Sequence, residues 1–178
     1  MITGVLLLLV TGCSTAPKVE QQAEATSSAP PGLIAGEIGK PFAYEETFTN
    51  TSDSNKWTVT VDKVECGLAS FEGVDTQPAA GQAFCRLDAS IQNSDDERAI
   101  SPDEFGQLET DQGGFKTDEA VTGELMQAED LSAIGPFAPG DTAKTITVWQ
   151  VPVGAKPIAV RYPDFVFNNG AEYRVTVG

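Results

Sequence analysis

The chain has 178 residues, 26 of them acidic against 11 basic, for a formal charge of −15 at neutral pH and no histidine. Such a surface repels phosphate backbones and anionic head groups, so nucleic acid is excluded as an expected partner. Without imidazole there is no histidine general acid or base, no Ser-His-Asp or Cys-His constellation and none of the ordinary histidine-bearing zinc or copper sites. Two methionines cannot build a Met-rich copper site either.

From Ile2 to Val10 the chain is almost wholly apolar, with four consecutive leucines at Leu6–Leu9. This run is about half of what a membrane-spanning helix needs and has the size of a signal-peptide apolar region. No Lys or Arg precedes it, which points to a translation start upstream of Met1, or else leaves the α-amino group as the sole positive charge. The run closes on Val10-Thr11-Gly12-Cys13, which resembles the lipobox of bacterial lipoproteins. That resemblance implies cleavage before Cys13 and a diacylglyceryl group on its thiol, with residues 1–12 removed. Each buried acyl methylene contributes about 0.8 kcal/mol, so two chains anchor where one binds only marginally. An ordinary secretory signal with an incidental cysteine is the plainer alternative.

Residues 13–35 contain no aromatic side chain and are rich in Ser, Thr, Ala, Pro and Gln. Too little apolar surface is present to offset ordering entropy, so a flexible polar tether reaching about 25 Å is expected. The folded domain is then expected over residues 36–178.

Beyond Gly36 the apolar period becomes two. Trp57, Val59 and Val61 alternate with Thr58, Thr60 and Asp62; Val64 and Cys66 then fall on the other parity, which predicts a bulge near Asp62-Lys63. Cys85, Leu87, Ala89 and Ile91 form one face of a second strand. Thr142–Val151 is β-branched and stopped by Pro152, and Tyr173, Val175 and Val177 mark a last strand. Asp111-Gln112-Gly113-Gly114 and Asn168-Asn169-Gly170 suit type I′ hairpins, and Pro139-Gly140-Asp141 supplies a turn. The segment 118–131 is the only helical candidate, and Gly123 weakens it. Seven to nine short strands with spaced turns predict an all-β, antiparallel sandwich.

If Cys13 carries lipid, Cys66 and Cys85 remain as a pair on inward faces of strands. In an exported chain a structural disulfide between them is expected, worth about 3 kcal/mol in the chain-entropy model. The other readings are free buried thiols or a redox pair, though a redox pair lacks the Cys-x-x-Cys spacing that lowers a thiol pKa.

The order of lipobox, polar tether, "GKPFAYEETF", "WTVTVDKVE", "GQAFCRLDASIQNSDDE", "SPDEFGQLETDQGG" and "PGDTAKTITVWQVPVGAKP" is similar to a Gram-positive, especially actinobacterial, lipoprotein family of unknown function. The resemblance implies an immunoglobulin-like sandwich, of the fold also found in a secreted mycobacterial immunogenic protein, and an extracytoplasmic location. It implies no reaction.

Candidate sites are few. Asn93, Asp95 and Glu97, followed by Asp103 and Glu104, could offer oxygens to calcium, but Arg98 stands where an EF-hand requires glycine, and a solvated loop is the plainer reading. No Gly-x-Ser-x-Gly, Ser-x-x-Lys or phosphate loop occurs. Trp57 and Trp149 are expected in the core, whereas Phe71 and Phe137 are the better candidates for surface contact. The expectation is therefore a lipid-anchored, non-catalytic binding or adhesion module of the cell envelope. It would have no cofactor and would engage an envelope protein or ligand whose identity the sequence leaves open. A calcium-dependent or small-ligand-binding envelope protein is the alternative.

Overall fold

In a computed structural model of the chain, the described residues are 34–47, 54–97, 99–100, 106–131, 136–162 and 173–177. The elements are β1 (Ile34–Glu37), β2 (Phe42–Thr47), β3 (Ser54–Leu68), β4 (Gln82–Asn93), β5 (Ala99–Ile100), β6 (Gln107–Thr110), β7 (Gly113–Lys116), α1 (Glu119–Ala128), β8 (Pro136–Phe137), β9 (Thr142–Pro152), β10 (Pro157–Tyr162) and β11 (Tyr173–Thr176). Sheet one runs β1-β11-β10-β6-β7 and sheet two β2-β3-β4-β9, with β5 and β8 as a separate two-residue ribbon. The chain is thus the expected all-β sandwich. Two details differ. β1 begins at Ile34, inside the segment expected as tether, and it pairs parallel to β11, from Ile34↔Tyr173 to Glu37↔Thr176, while the other described pairings are antiparallel.

The alternation in β3 works as its sequence implies. Trp57, Val59 and Val61 are buried in the inter-sheet core. The register then skips Asp62, passing from Val61↔Ala89 to Lys63↔Asp88, so Val64 and Cys66 return to the core side. A second skip at Gly67 turns Leu68 to the opposite face, beside Phe84.

Sheet two is covered on both faces at one end. Ala83, Phe84 and Cys85 are buried in succession on β4, as are Ile146, Thr147, Val148 and Trp149 on β9. Consecutive burial means that no side of the strand meets water. Cys85 and Trp149 face the other sheet, whereas Phe84, Ile146 and Val148 face α1 through Val121 and Leu125. The segment 118–131, the helical candidate weakened by Gly123, is therefore helical over Glu119–Ala128. Asp118 caps it by accepting from the Val121 amide, and Val121 and Leu125, one turn apart, share its buried stripe. A helix-interior glycine costs about 1 kcal/mol against alanine, while burying each of those two side chains stabilises by roughly 1.5–3 kcal/mol, so packing prevails. The helix also closes the free edge of β9: the Asp118 amide donates to the Val148 carbonyl and the Val148 amide to Thr122 Oγ1.

Two predicted turns take specific forms. β6 and β7 form the expected hairpin, but Asp111 and Gln112 keep negative φ, so the turn is not type I′. Thr110 Oγ1 instead accepts from the Gln112 amide and donates to the Gly113 carbonyl. At Pro139-Gly140 the Asp141 amide donates to the Ala138 carbonyl, closing the expected turn. The Asn168-Asn169-Gly170 turn lies outside the described residues.

A methyl group added at Gly123 meets no atom within 4 Å beyond its own helix. Gly123→Ala should therefore raise unfolding stability by about 1 kcal/mol, read as a higher midpoint in urea with an unchanged slope.

Candidate functional site

Strand directions give the sandwich two distinct ends. β1 runs away from Ile34, and the registers place Ile34, Tyr173, Tyr162, Gln107 and Thr142 at one end. Gln82, Pro152, Pro157 and the β6–β7 turn stand at the other. β4 separates the two by roughly 40 Å at 3.3 Å per residue.

The acidic loop sits at the Ile34 end, and its Asn93 and Asp95 side chains are engaged internally. Buried Asn93 accepts from the Asp95 amide through Oδ1 and donates through Nδ2 to the carbonyls of Glu97 and Phe137. The Asp95 carboxylate accepts from the amides of Asp96 and Lys56; a side-chain hydrogen bond with Asp96 foremost, then these amides, hold its pKa below the ordinary value. No group of three metal-ligating His, Cys, Asp or Glu side chains comes together among the described residues. Asp103 and Glu104 lie outside them.

Cys66 and Cys85 face each other directly across β3 and β4 and are joined in a disulfide, with their Cα atoms 4.0 Å apart. Cys85 is fully buried and its register partner on β9 is Trp149. The bond closes the Gly67–Phe84 segment, which carries Phe71 and Val74 beneath α1. Cys13 lies outside the described residues.

The aromatic side chains divide differently from expectation. Trp57 and Trp149 are core residues, as predicted. Phe71 and Phe137, the two surface candidates, are packed: Phe71 stacks on Phe84 at 5.1 Å between ring centroids, and Phe137 meets Trp57 edge-on at 6.3 Å. Both loops fold back over apolar strand positions. The indole nitrogens of Trp57 and Trp149 have no hydrogen-bond partner, but these residues align with Asn93 and Cys85 on β4, roughly 25 Å apart, and share no cavity.

A cleft of about 540 Å³ lies where the end of α1 meets β3 and β4, with Leu68, Phe71 and Leu125 among its lining and Arg86 at its side. Arg86 is committed to internal partners. Nε and Nη2 donate to Asp88, and Nη1 and Nη2 to Glu129 just beyond the helix. Hydrogen bonds to Glu129 foremost, opposed by partial burial and aided by Asp88, raise its pKa further and fix the cation. Arg86 therefore pins the helix rather than offering free donors to a ligand.

The outer face of sheet one carries a second ion cluster that the sequence reading missed. Arg161 and Arg174 are direct cross-strand neighbours, a repulsive pairing, and Glu109 bridges them at 2.5 and 2.8 Å. Burial would raise the Glu109 pKa, but hydrogen bonds from Arg174 and Arg161 and their charge hold it below the ordinary carboxylate value.

The end of the sandwich away from Ile34 is built from two adjoining tight turns. The Gln82 amide donates to the Ala79 carbonyl and the Ala155 amide to the Pro152 carbonyl, with Gly81 (φ +81°) and Gly154 (φ +84°) at the third turn position. This is type II geometry, open to glycine because it lacks Cβ. The Val153 amide donates to the Gly81 carbonyl, and Gln150 Oε1 accepts from the Ala79 amide, locking one turn to the other.

Among solved structures the fold is similar to MPT63, a secreted protein from Mycobacterium tuberculosis, with a TM-score of 0.52 and 12% identity over 80% of this chain and 97% of that one. It is similar also to the yjhA protein from Bacillus subtilis, with a TM-score of 0.53 and 13% identity over 80% of this chain and 99% of that one. At these identities the likeness shows a shared β-sandwich fold. No family model and no curated protein matches the chain.

Two outcomes follow from this chemistry. Replacing both Cys66 and Cys85 by alanine should lower unfolding stability by about 3 kcal/mol, measured in urea beside the oxidised wild type. The depressed Glu109 pKa stabilises the fold above the unfolded carboxylate pKa of about 4.3, and that contribution is lost as pH falls through the lower folded value. Glu109→Gln should lose about 1–2 kcal/mol at pH 7 and show a shallower fall below about pH 4 in pH-dependent thermal melts.

Proposed function

We propose that the chain is a lipid-anchored, extracytoplasmic lipoprotein whose sandwich acts as a non-catalytic binding or adhesion module. The observation that carries this reading is the Cys66–Cys85 bond, because structural disulfides persist in exported proteins and are rare in reducing cytosol. The lipobox-like Val10-Thr11-Gly12-Cys13 supplies the anchoring chemistry, and the secreted MPT63 protein shares the fold. The polar groups of the described residues favour a structural role: Arg86, Glu109 and buried Asn93 are all bound within the fold, and no histidine is available for proton transfer.

The test is fractionation of cells producing the full chain beside its Cys13→Ala variant. The wild type should pellet with membranes and partition into detergent, and the variant should be released. Equal membrane retention of both proteins, or a free Cys13 thiol in the mature wild type by mass spectrometry, would refute the anchor.

A further inference from the structure

Val153 and Ile158 are the two exposed large hydrophobic residues among the described ones, 67% and 41% exposed, and both stand at the end of the sandwich opposite Ile34. No charged residue occurs between Asp75 and Arg86 or between Lys144 and Lys156, so the two turns at this tip are neutral in a chain of charge −15. The charged residues bordering them are Asp75, Asp111 and Lys156, all exposed, with the Asp111 carboxylate accepting from the Lys156 amide. The turns are locked to each other through Val153 and Gly81. Val153 is thus held outward on a rigid support and loses little conformational entropy on docking.

We infer that this tip engages a protein partner bearing an apolar pocket rimmed by Lys or Arg. The inference rests on the tethered reading above, which makes the Ile34 end the membrane side and the tip the outward side. The pocket follows from the exposed, preorganised Val153, with Ile158 exposed at the same end of the sandwich. The basic rim follows from Asp75 and Asp111 beside a neutral centre in a chain of charge −15, since a partner of the same sign would be repelled before contact. A second copy of this chain would bring the same net charge of −15 against its own like. A glycan would call for an exposed aromatic face, and both tryptophans are buried.

The experiment uses the full chain in its own cells, with a photoreactive benzoylphenylalanine at exposed Ala80 in one version and at exposed Ser94, at the Ile34 end, in another. Irradiation should give one discrete protein adduct from position 80 and none from position 94. Val153→Asp and Ile158→Asp should each abolish it while leaving the melting temperature of the purified domain unchanged. The yield should fall about fivefold when external salt is raised to about 0.5 M. Peptides crosslinked at the contact should be apolar and flanked by Lys or Arg. A dimer of this chain, an adduct lacking basic residues, or one insensitive to Val153→Asp overturns the proposal. An adduct from position 94 alone overturns the tip and leaves the binding-module reading standing; no adduct from either position overturns both.

Discussion

The outward face of sheet two is apolar where β4 and β9 approach the tip, and that face must be covered. Phe84, Ile146 and Val148 point away from the inter-sheet core and would form an exposed hydrophobic patch without a second layer. The connection between β7 and β8 supplies that layer as α1. Burial of Val121 and Leu125 on these three residues outweighs the glycine within the helix, and the polar contacts complete the attachment. Asp118 and Thr122 close the β9 edge at one end of the helix, and Arg86 holds Glu129 at the other. The loop between the cysteines joins the same cluster through Phe71 and Val74. The disulfide therefore secures the strands on which the helix rests as well as its own loop.

How much of this was legible depended on how many faces each strand buries. Where one face is solvated, as along Trp57–Val61 and Cys85–Ile91, alternation reads directly, and even the bulge at Asp62 shows as a change of parity. The Cys66–Cys85 pair was legible for the same reason, since both residues carry the inward parity of their strands. Where both faces are buried, the run Ile146–Trp149 reads simply as a β-branched stretch, and nothing in it says that a helix covers one side. The covering helix announces itself through only two apolar residues one turn apart, beside a glycine. Strand β1 was missed because four residues, Ile34–Glu37, are too few to show a period and gain their place from pairing with β11 at the far end of the chain.

The exposed features were harder to read because position, rather than residue type, gives them meaning. Phe71 and Phe137 look like loop aromatics in sequence, yet their loops turn back onto Phe84 and Trp57. Val153 looks like the end of a strand, yet Pro152 and Gly154 make it the corner of a turn. Glu109, Arg161 and Arg174 are scattered along the chain and meet only because β10 lies between β6 and β11. A signal for the tip was nonetheless present: two charge-free runs in so acidic a chain are compositionally unusual, and the β4–β9 register places them side by side.

Charge and topology then act differently on orientation. Under the tethered reading, the chain arrives at Ile34 and the sandwich extends roughly 40 Å beyond it, with the disulfide, the helix attachment and the neutral turns all in the far half. An acyl anchor fixes only the chain end; it does not keep a domain upright. The domain's charge would hold it off the surface without orienting it, because an anionic membrane repels it over about a Debye length. The acidic Asn93–Glu97 loop lies at the near end, where its Asp95 carboxylate is bound by the amides of Asp96 and Lys56 while Asp96 and Glu97 stand exposed. Under that reading the point of entry at Ile34 would set which end faces outward, since repulsion of the acidic near end alone would turn the neutral end toward the surface.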